Sequence, residues 1–157
     1  MSNLSTNIDK LNGYLARFRE TGIKHRIGGR DHDGAAQHFQ NLSPVDHSEI
    51  CDVARGDASD IDAAARAAAD AFPAWRDMPA AERKAILIRI AEGIEARAEE
   101  IALCECWDTG QALRFMSKAA IRGAENFRYF ADQVTSARDG QTLQSPGLMN
   151  VTSRKPI

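Results

Sequence analysis

Across residues 59–110 the apolar side chains recur at three- and four-residue steps, a period that α-helix satisfies and β-strand does not. Two back-to-back helical patterns are visible. In the first, Ser59 and Asp62 have the spacing of a capping box, so a helix is predicted to open at Ser59. Ile61, Ala64, Ala65, Ala68 and Phe72 then form one stripe, opposite Asp62, Arg66 and Asp70. Alanine dominates that stripe and admits a close neighbour, while Phe72 and Trp75 supply bulk at its end. Pro73 has no backbone N–H and is predicted to stop or kink the helix. The second pattern is predicted to begin with Pro79 at the first helical position and Glu82 in the first turn. Its apolar face runs through Ile86, Leu87, Ile90, Ala91, Ile94, Ala98, Ile101 and Ala102, with a break expected near Arg97 and Gly110 as terminator.

The flanks read differently. Thr6 and Asp9 again have capping-box spacing, and Ile8, Leu11, Leu15 and Phe18 share a helical face up to Gly22. Residues 23–41 carry Gly28-Gly29 and His32-Asp33-Gly34 among alternating patches such as His38-Phe39-Gln40, the pattern of short strands joined by turns. Ser43-Pro44 sets a turn, and residues 50–54 predict another strand. After Gly110 a third helix is expected through Leu113, Met116, Ala120, Ala124, Phe127, Phe130 and Ala131, with Arg114, Lys118, Arg122 and Arg128 facing outward. Past Asp139-Gly140, residues 142–144 and 150–154 read as strands about the turn Ser145-Pro146-Gly147. The fold class for these 157 residues is therefore mostly α with short antiparallel strands.

Charge and composition exclude several functions. With 20 basic residues scattered among 22 acidic ones and a net charge of −2, no field attracts a polyanion, so nucleic acid is not an expected partner. The N-terminal stretch carries Asp9, Lys10, Arg17, Arg19 and Glu20 rather than a signal-peptide core, and no run approaches the roughly 18 apolar residues of a membrane span. A cytoplasmic protein without membrane contact is the expectation. Cys51, Cys104 and Cys106 are an odd number at spacings that suit no disulfide framework. Cys104 and Cys106 point roughly 200° apart on a helix, cannot chelate one ion together, and are read as packing thiols. His25, His32, His38 and His47 lie near Asp31, Asp33 and Asp46, but without zinc-motif spacing, and are read as ordinary surface histidines. Asp108-Thr109-Gly110 spells the active-site triplet of aspartic proteases; here it follows a helix rather than a strand, and that reading is set aside.

Ser43-Pro44-Val45-Asp46, then Asp60-Ile61-Asp62-Ala63-Ala64, Ala71-Phe72 with Trp75, Glu82-Arg83, Leu87 with Ala91 and Ile94, and Glu105-x-x-Asp108-x-Gly110-Gln111 form an ordered set. In order and spacing, from about His25 onward, they resemble the N-terminal part of the NAD(P)-dependent aldehyde dehydrogenases. The run Asp108-Thr109-Gly110-Gln111 is most similar to the branch acting on 5-carboxymethyl-2-hydroxymuconate semialdehyde.

The resemblance implies an α/β fold for the complete enzyme. Residues 1–140 would be the helical and strand part of the cofactor-binding domain, and residues 141–157 the start of a bridging arm through which family members form dimers or tetramers. It also implies a cysteine that attacks the aldehyde, hydride transfer to NAD(P), and a glutamate that activates water. Those residues, and the dinucleotide contacts, lie further along in the family, so the expectation is no catalytic and no cofactor-binding residue in this chain. The chain alone is then inactive, and its first partner is the remainder of the same polypeptide. One family site does carry over: a monovalent cation, Na+ or K+, held by the backbone of Asn41 and Leu42 and by Asp108, with Ser43 standing where the family usually has Asn. The alternative to the ion is an Asp108 that simply caps or hydrogen-bonds at the helix end. The alternative to the enzyme is a stand-alone helical interaction module without catalysis.

Overall fold

The computed structural model describes residues 4–137, 140 and 142–153. Helix α1 (Leu4–Thr21) ends where Gly22 turns left-handed at φ 68° and returns its N–H to Phe18 at 2.8 Å. It starts earlier than the Thr6–Asp9 spacing predicts and leaves Thr6 inside the helix. Strands β1 (His25–Ile27) and β2 (Arg30–His32) form a hairpin about Gly28-Gly29, whose φ values of 56° and 77° are both positive, as a tight turn of this kind requires. Strand β3 (Ala36–Leu42) pairs antiparallel with β4 (Glu49–Arg55), with register shifts at residues 36–39 and 41–42. Ile23 adds a parallel bridge to Val53 on the other edge of β4.

Helix α2 (Ala58–Asp77) opens one residue before Ser59, with Asp57 as its cap. Two overlapping residue pairs have capping-box spacing, and a carboxylate outcompetes a hydroxyl as acceptor. Asp57 Oδ1 accepts from Ser59 N at 2.7 Å, while Asp60 Oδ2 accepts from Asp57 N at 3.0 Å and from Ala35 N at 2.9 Å. Nor does Pro73 end the helix. Ala69, whose carbonyl would have received the missing N–H, is exposed, so water serves it and the helix runs on to Asp77. Met78, ahead of Pro79, is held extended at ψ 134° and makes the stop.

Pro79 is the cap of α3 (Ala80–Ala96) rather than its first residue. The break falls at Arg97 as expected, and α4 (Ala98–Thr109) ends at Gly110, left-handed at φ 75° with its N–H on Cys106 O at 3.0 Å. The single third helix predicted from periodicity is two, α5 (Leu113–Met116) and α6 (Ala119–Ser136). At the junction Lys118 N bonds Phe115 O, three residues back, and the turn tightens without disturbing the apolar spacing. Strands β5 (Thr142–Ser145) and β6 (Leu148–Val151) make a last hairpin. Its second strand begins at Leu148, ahead of the predicted Asn150, while residues 139 and 154 lie outside the described residues.

Two packing centres hold these elements. Leu11 and Leu15 of α1, Ile50 and Cys51 of β4 and Leu103 of α4 form a buried cluster. On the surface beside it, Lys10 Nζ reaches Glu99 at 2.6 Å and the Tyr14 hydroxyl donates to Glu99 at 3.0 Å. The second centre is the seam between α3 and α6, where Ala91, Ala124 and Ala131 are each 0% exposed. Side chains this small let the helices approach closely, and Lys84–Asp132 (2.8 Å) and Arg128–Glu95 (2.5 Å) bracket the seam. By contrast, none of α2 is buried, and the predicted stripe through Ile61 faces outward. Phe127 and Phe130, expected on the packed face of α6, are exposed as well. The outcome is mostly helix with three separate two-stranded antiparallel ladders, the class predicted from sequence. Among the described residues no helix is long and apolar enough to cross a membrane.

Candidate functional site

Asn41, paired with Cys51 in the β3–β4 ladder just before its register shift, reaches with its side chain to the last turn of α4. There its amide Nδ2 donates to Asp108 Oδ1 at 2.7 Å. One residue past β3, Ser43 is completely buried; its hydroxyl donates to Trp107 O at 2.7 Å and accepts from Val45 N at 3.2 Å. Gly110 closes the same junction, since a β-carbon on it would stand 3.3 Å from Pro44 Cγ. Of the three residues expected at the cation site, the structure joins Asn41 and Asp108 through a side-chain hydrogen bond and leaves the Leu42 side chain exposed. Ser43, noted from sequence only as a departure, is the buried pin of the junction. The signal for it was present in the Ser-Pro turn, where a serine hydroxyl commonly accepts the N–H two residues on.

Beside this junction lies a cleft of about 280 Å³, walled by Leu15, Phe18 and Ile101 and carrying Cys51, Cys104 and Asp108. Burial pushes the Cys51 thiol above its ordinary pKa, and the Asp108 carboxylate adds to the rise. Burial likewise raises Cys104, with Glu100 contributing, and raises Cys106, with Glu105 contributing. All three are held as thiols rather than thiolates, which suits packing and not nucleophilic attack. His25 differs from the surface histidine expected: its Nε2 is buried without a partner, close to Gly34 and Gly56. Among the described residues no group of three or more His, Cys, Asp or Glu converges to hold a metal.

A dinucleotide needs a helix N-terminus with free N–H groups at the end of a strand. Among the described residues the one strand-to-helix junction is β4–Gly56–α2. There Asp57 already takes the hydroxyl of Ser59 and the N–H groups of Ser59 and Asp60, and its own pKa is lowered by those bonds. Two carboxylates occupy the place where phosphates would sit, so this junction does not fit NAD(P).

A third feature is electrostatic. Arg114 of α5, Lys118 at the cap of α6 and Arg122 of α6 are exposed and enter none of the ion pairs found among the described residues. Arg114 lies over the exposed Phe115 ring, 4.7 Å from its centroid. Arg128, predicted to face outward with them, instead pairs with Glu95 across the α3–α6 seam.

Comparison with known proteins supplies the context. Residues 30–157 match the aldehyde dehydrogenase family. The EPTC-inducible aldehyde dehydrogenase of Rhodococcus erythropolis is 46% identical over 99 residues, which are 62% of this chain and 20% of the relative. The 2-hydroxymuconic semialdehyde dehydrogenase of Pseudomonas sp. (strain CF600) is 36% identical over 141 residues, 85% of this chain and 29% of the relative. Among solved structures, HpcC from Thermus thermophilus superposes with a TM-score of 0.81 at 34% identity, over 88% of this chain and 27% of that one. PnpE in complex with nicotinamide adenine dinucleotide superposes with a TM-score of 0.76 at 36% identity, over 86% and 28%. The chain thus spans well under a third of the lengths of these relatives.

Proposed function

The chain belongs to the aldehyde dehydrogenase family, and on that premise we propose that it is the N-terminal segment of an enzyme oxidising a carboxylate-bearing semialdehyde with NAD(P). The overall change is aldehyde, water and NAD(P)+ to carboxylate, NAD(P)H and two protons. The nucleophilic cysteine, the water-activating glutamate and the dinucleotide loop come from the rest of the polypeptide. That assignment accords with raised thiol pKa values here and with an acidic α2 N-terminus unsuited to phosphates.

The observation that carries the substrate class is the exposed trio Arg114, Lys118 and Arg122, which enters no ion pair found among the described residues. Exposed cations, one of them Arg114 over the exposed Phe115 ring, suit a small unsaturated molecule with carboxylate groups. 5-Carboxymethyl-2-hydroxymuconate semialdehyde is such a molecule, and the Pseudomonas relative carries a related semialdehyde in its name. In the same reading residues 141–157 begin the arm of a dimer or tetramer. Leu148, Met149 and Val151 of β6 are all exposed, and a two-stranded hairpin is marginal unless covered.

The test is reduction of NAD(P)+ by the complete enzyme, with the semialdehyde compared against neutral benzaldehyde. Arg122→Ala is expected to raise KM for the anionic substrate by about tenfold or more, the loss of one charge-assisted contact, and to leave KM for benzaldehyde unchanged. Equal KM changes for both would sink the substrate class alone. No turnover of any aldehyde would sink the reaction.

A further inference from the structure

The geometry points to Asn41 as a built-in replacement for the monovalent cation: its side-chain amide, rather than an ion, ties β3 to the end of α4 through Asp108. Asp108 sits in the last turn of α4, at the negative end of the helix dipole, where a carboxylate needs a positive neighbour. In this chain the neighbour is the Asn41 amide, 2.7 Å from Oδ1, a short charge-assisted bond. The donor's hydrogens carry partial positive charge and lie where an ion would approach that oxygen. An ion there would face like charge and would first have to displace the amide.

The rest of the junction is also closed without an ion. The Ser43 hydroxyl takes the Trp107 carbonyl at 2.7 Å, and Pro44 packs against Gly110. Three neighbouring contacts therefore join the end of β3 to the end of α4, all made by groups the chain supplies. The inference concerns stability and does not depend on which substrate the enzyme takes.

The experiment is thermal unfolding of the complete polypeptide that carries this chain, in KCl, NaCl and choline chloride at equal ionic strength. The wild-type Tm is expected to agree across the three salts to within about 0.5 °C, less than the shift of about 1 °C that a 1 kcal/mol site would give in a chain of several hundred residues. Asn41→Ala strips Asp108 of its partner. It is expected to lower the Tm in choline chloride and to recover at least half of the loss in KCl or NaCl, because Oδ1 is then open to an ion. Asp108→Asn removes the charge itself; its loss is expected to be the same in all three salts. A wild-type Tm raised by more than about 0.5 °C in KCl or NaCl over choline chloride overturns the proposal, and so does an Asn41→Ala variant as stable as wild type. The wild-type comparison needs no variant to fold, and because the readout is a Tm its failure is separate from a failure of catalysis.

Discussion

Replacing Ser43 by Ala removes one oxygen from a completely buried position and disturbs two bonds at once. The hydroxyl donates to Trp107 O at 2.7 Å and accepts from Val45 N at 3.2 Å, so the variant strands both a carbonyl at the end of α4 and a turn N–H. A neutral hydrogen bond contributes about 1 kcal/mol net, and a buried group left unsatisfied costs about 1–3 kcal/mol. The sum is bounded because the Trp107 carbonyl lies at a helix terminus and regains water more readily than the turn N–H. About 2 kcal/mol is the expected loss. Urea unfolding measures it: with a slope of about 2 kcal/mol/M, the midpoint falls by about 1 M at unchanged slope. Ser136→Ala is the control, since the Ser136 hydroxyl makes an exposed bond to Gln133 O, and its midpoint is expected to move by less than about 0.25 M. A Ser43→Ala midpoint no further from wild type than this control refutes the claim that Ser43 pins the junction.

Three further outcomes follow from the packing and the titrating groups. Ala124→Leu forces a branched side chain into the fully buried α3–α6 seam and is expected to cost about 1–3 kcal/mol or more; calorimetry showing an unchanged Tm would contradict close approach there. Hydrogen bonds from Lys10 and then Tyr14 hold Glu99 below its ordinary carboxylate pKa, and bonds from Ser59 do the same for Asp57. Because both pKa values fall on folding, the stabilisation is full above the ordinary carboxylate range and drains as pH drops through it towards the depressed values. Glu99→Gln is therefore expected to flatten the acid limb of a stability–pH curve, and an unaltered limb counts against the Lys10–Glu99–Tyr14 contact. Finally, Cys51, with its pKa raised by burial, is expected to react with iodoacetamide in the native protein far more slowly than in urea. Equal rates by mass spectrometry would mean that α1 and α4 do not cover it.

Local signals that act within a few residues were legible: the break at Arg97, the left-handed Gly110, the Gly28-Gly29 hairpin. The cap of α2 was not, because Asp57–Asp60 and Ser59–Asp62 share one spacing and the choice between them is helped by the N–H of Ala35, 25 residues away in sequence. Likewise the α5–α6 junction is invisible to periodicity, since Met116 and Ala120 keep a four-residue step straight through it. At the site, sequence resemblance paired Asn41 with Asp108 across 67 residues, but it assigned the Asn41 backbone to an ion. The side-chain bond between them joins residues too far apart in sequence for a spacing rule to encode.

Alanine stripes show most directly what a pattern leaves open. Ala91 of α3 and Ala124 and Ala131 of α6 are fully buried, whereas Ala64, Ala65 and Ala68 of α2 are exposed. The difference lies in the flanks. α3 and α6 carry complementary charges along one flank of their seam, Lys84 to Asp132 and Glu95 to Arg128, so the two helices match each other. On α2 the charges answer only each other, as in the Arg66–Asp62 pair one turn apart, and Ile61 stands uncovered at the N-terminal end of its stripe. Phe130 on α6 and Met149 on β6 are uncovered on two other elements. In the reading proposed above, the outer faces of these three elements are completed by further protein.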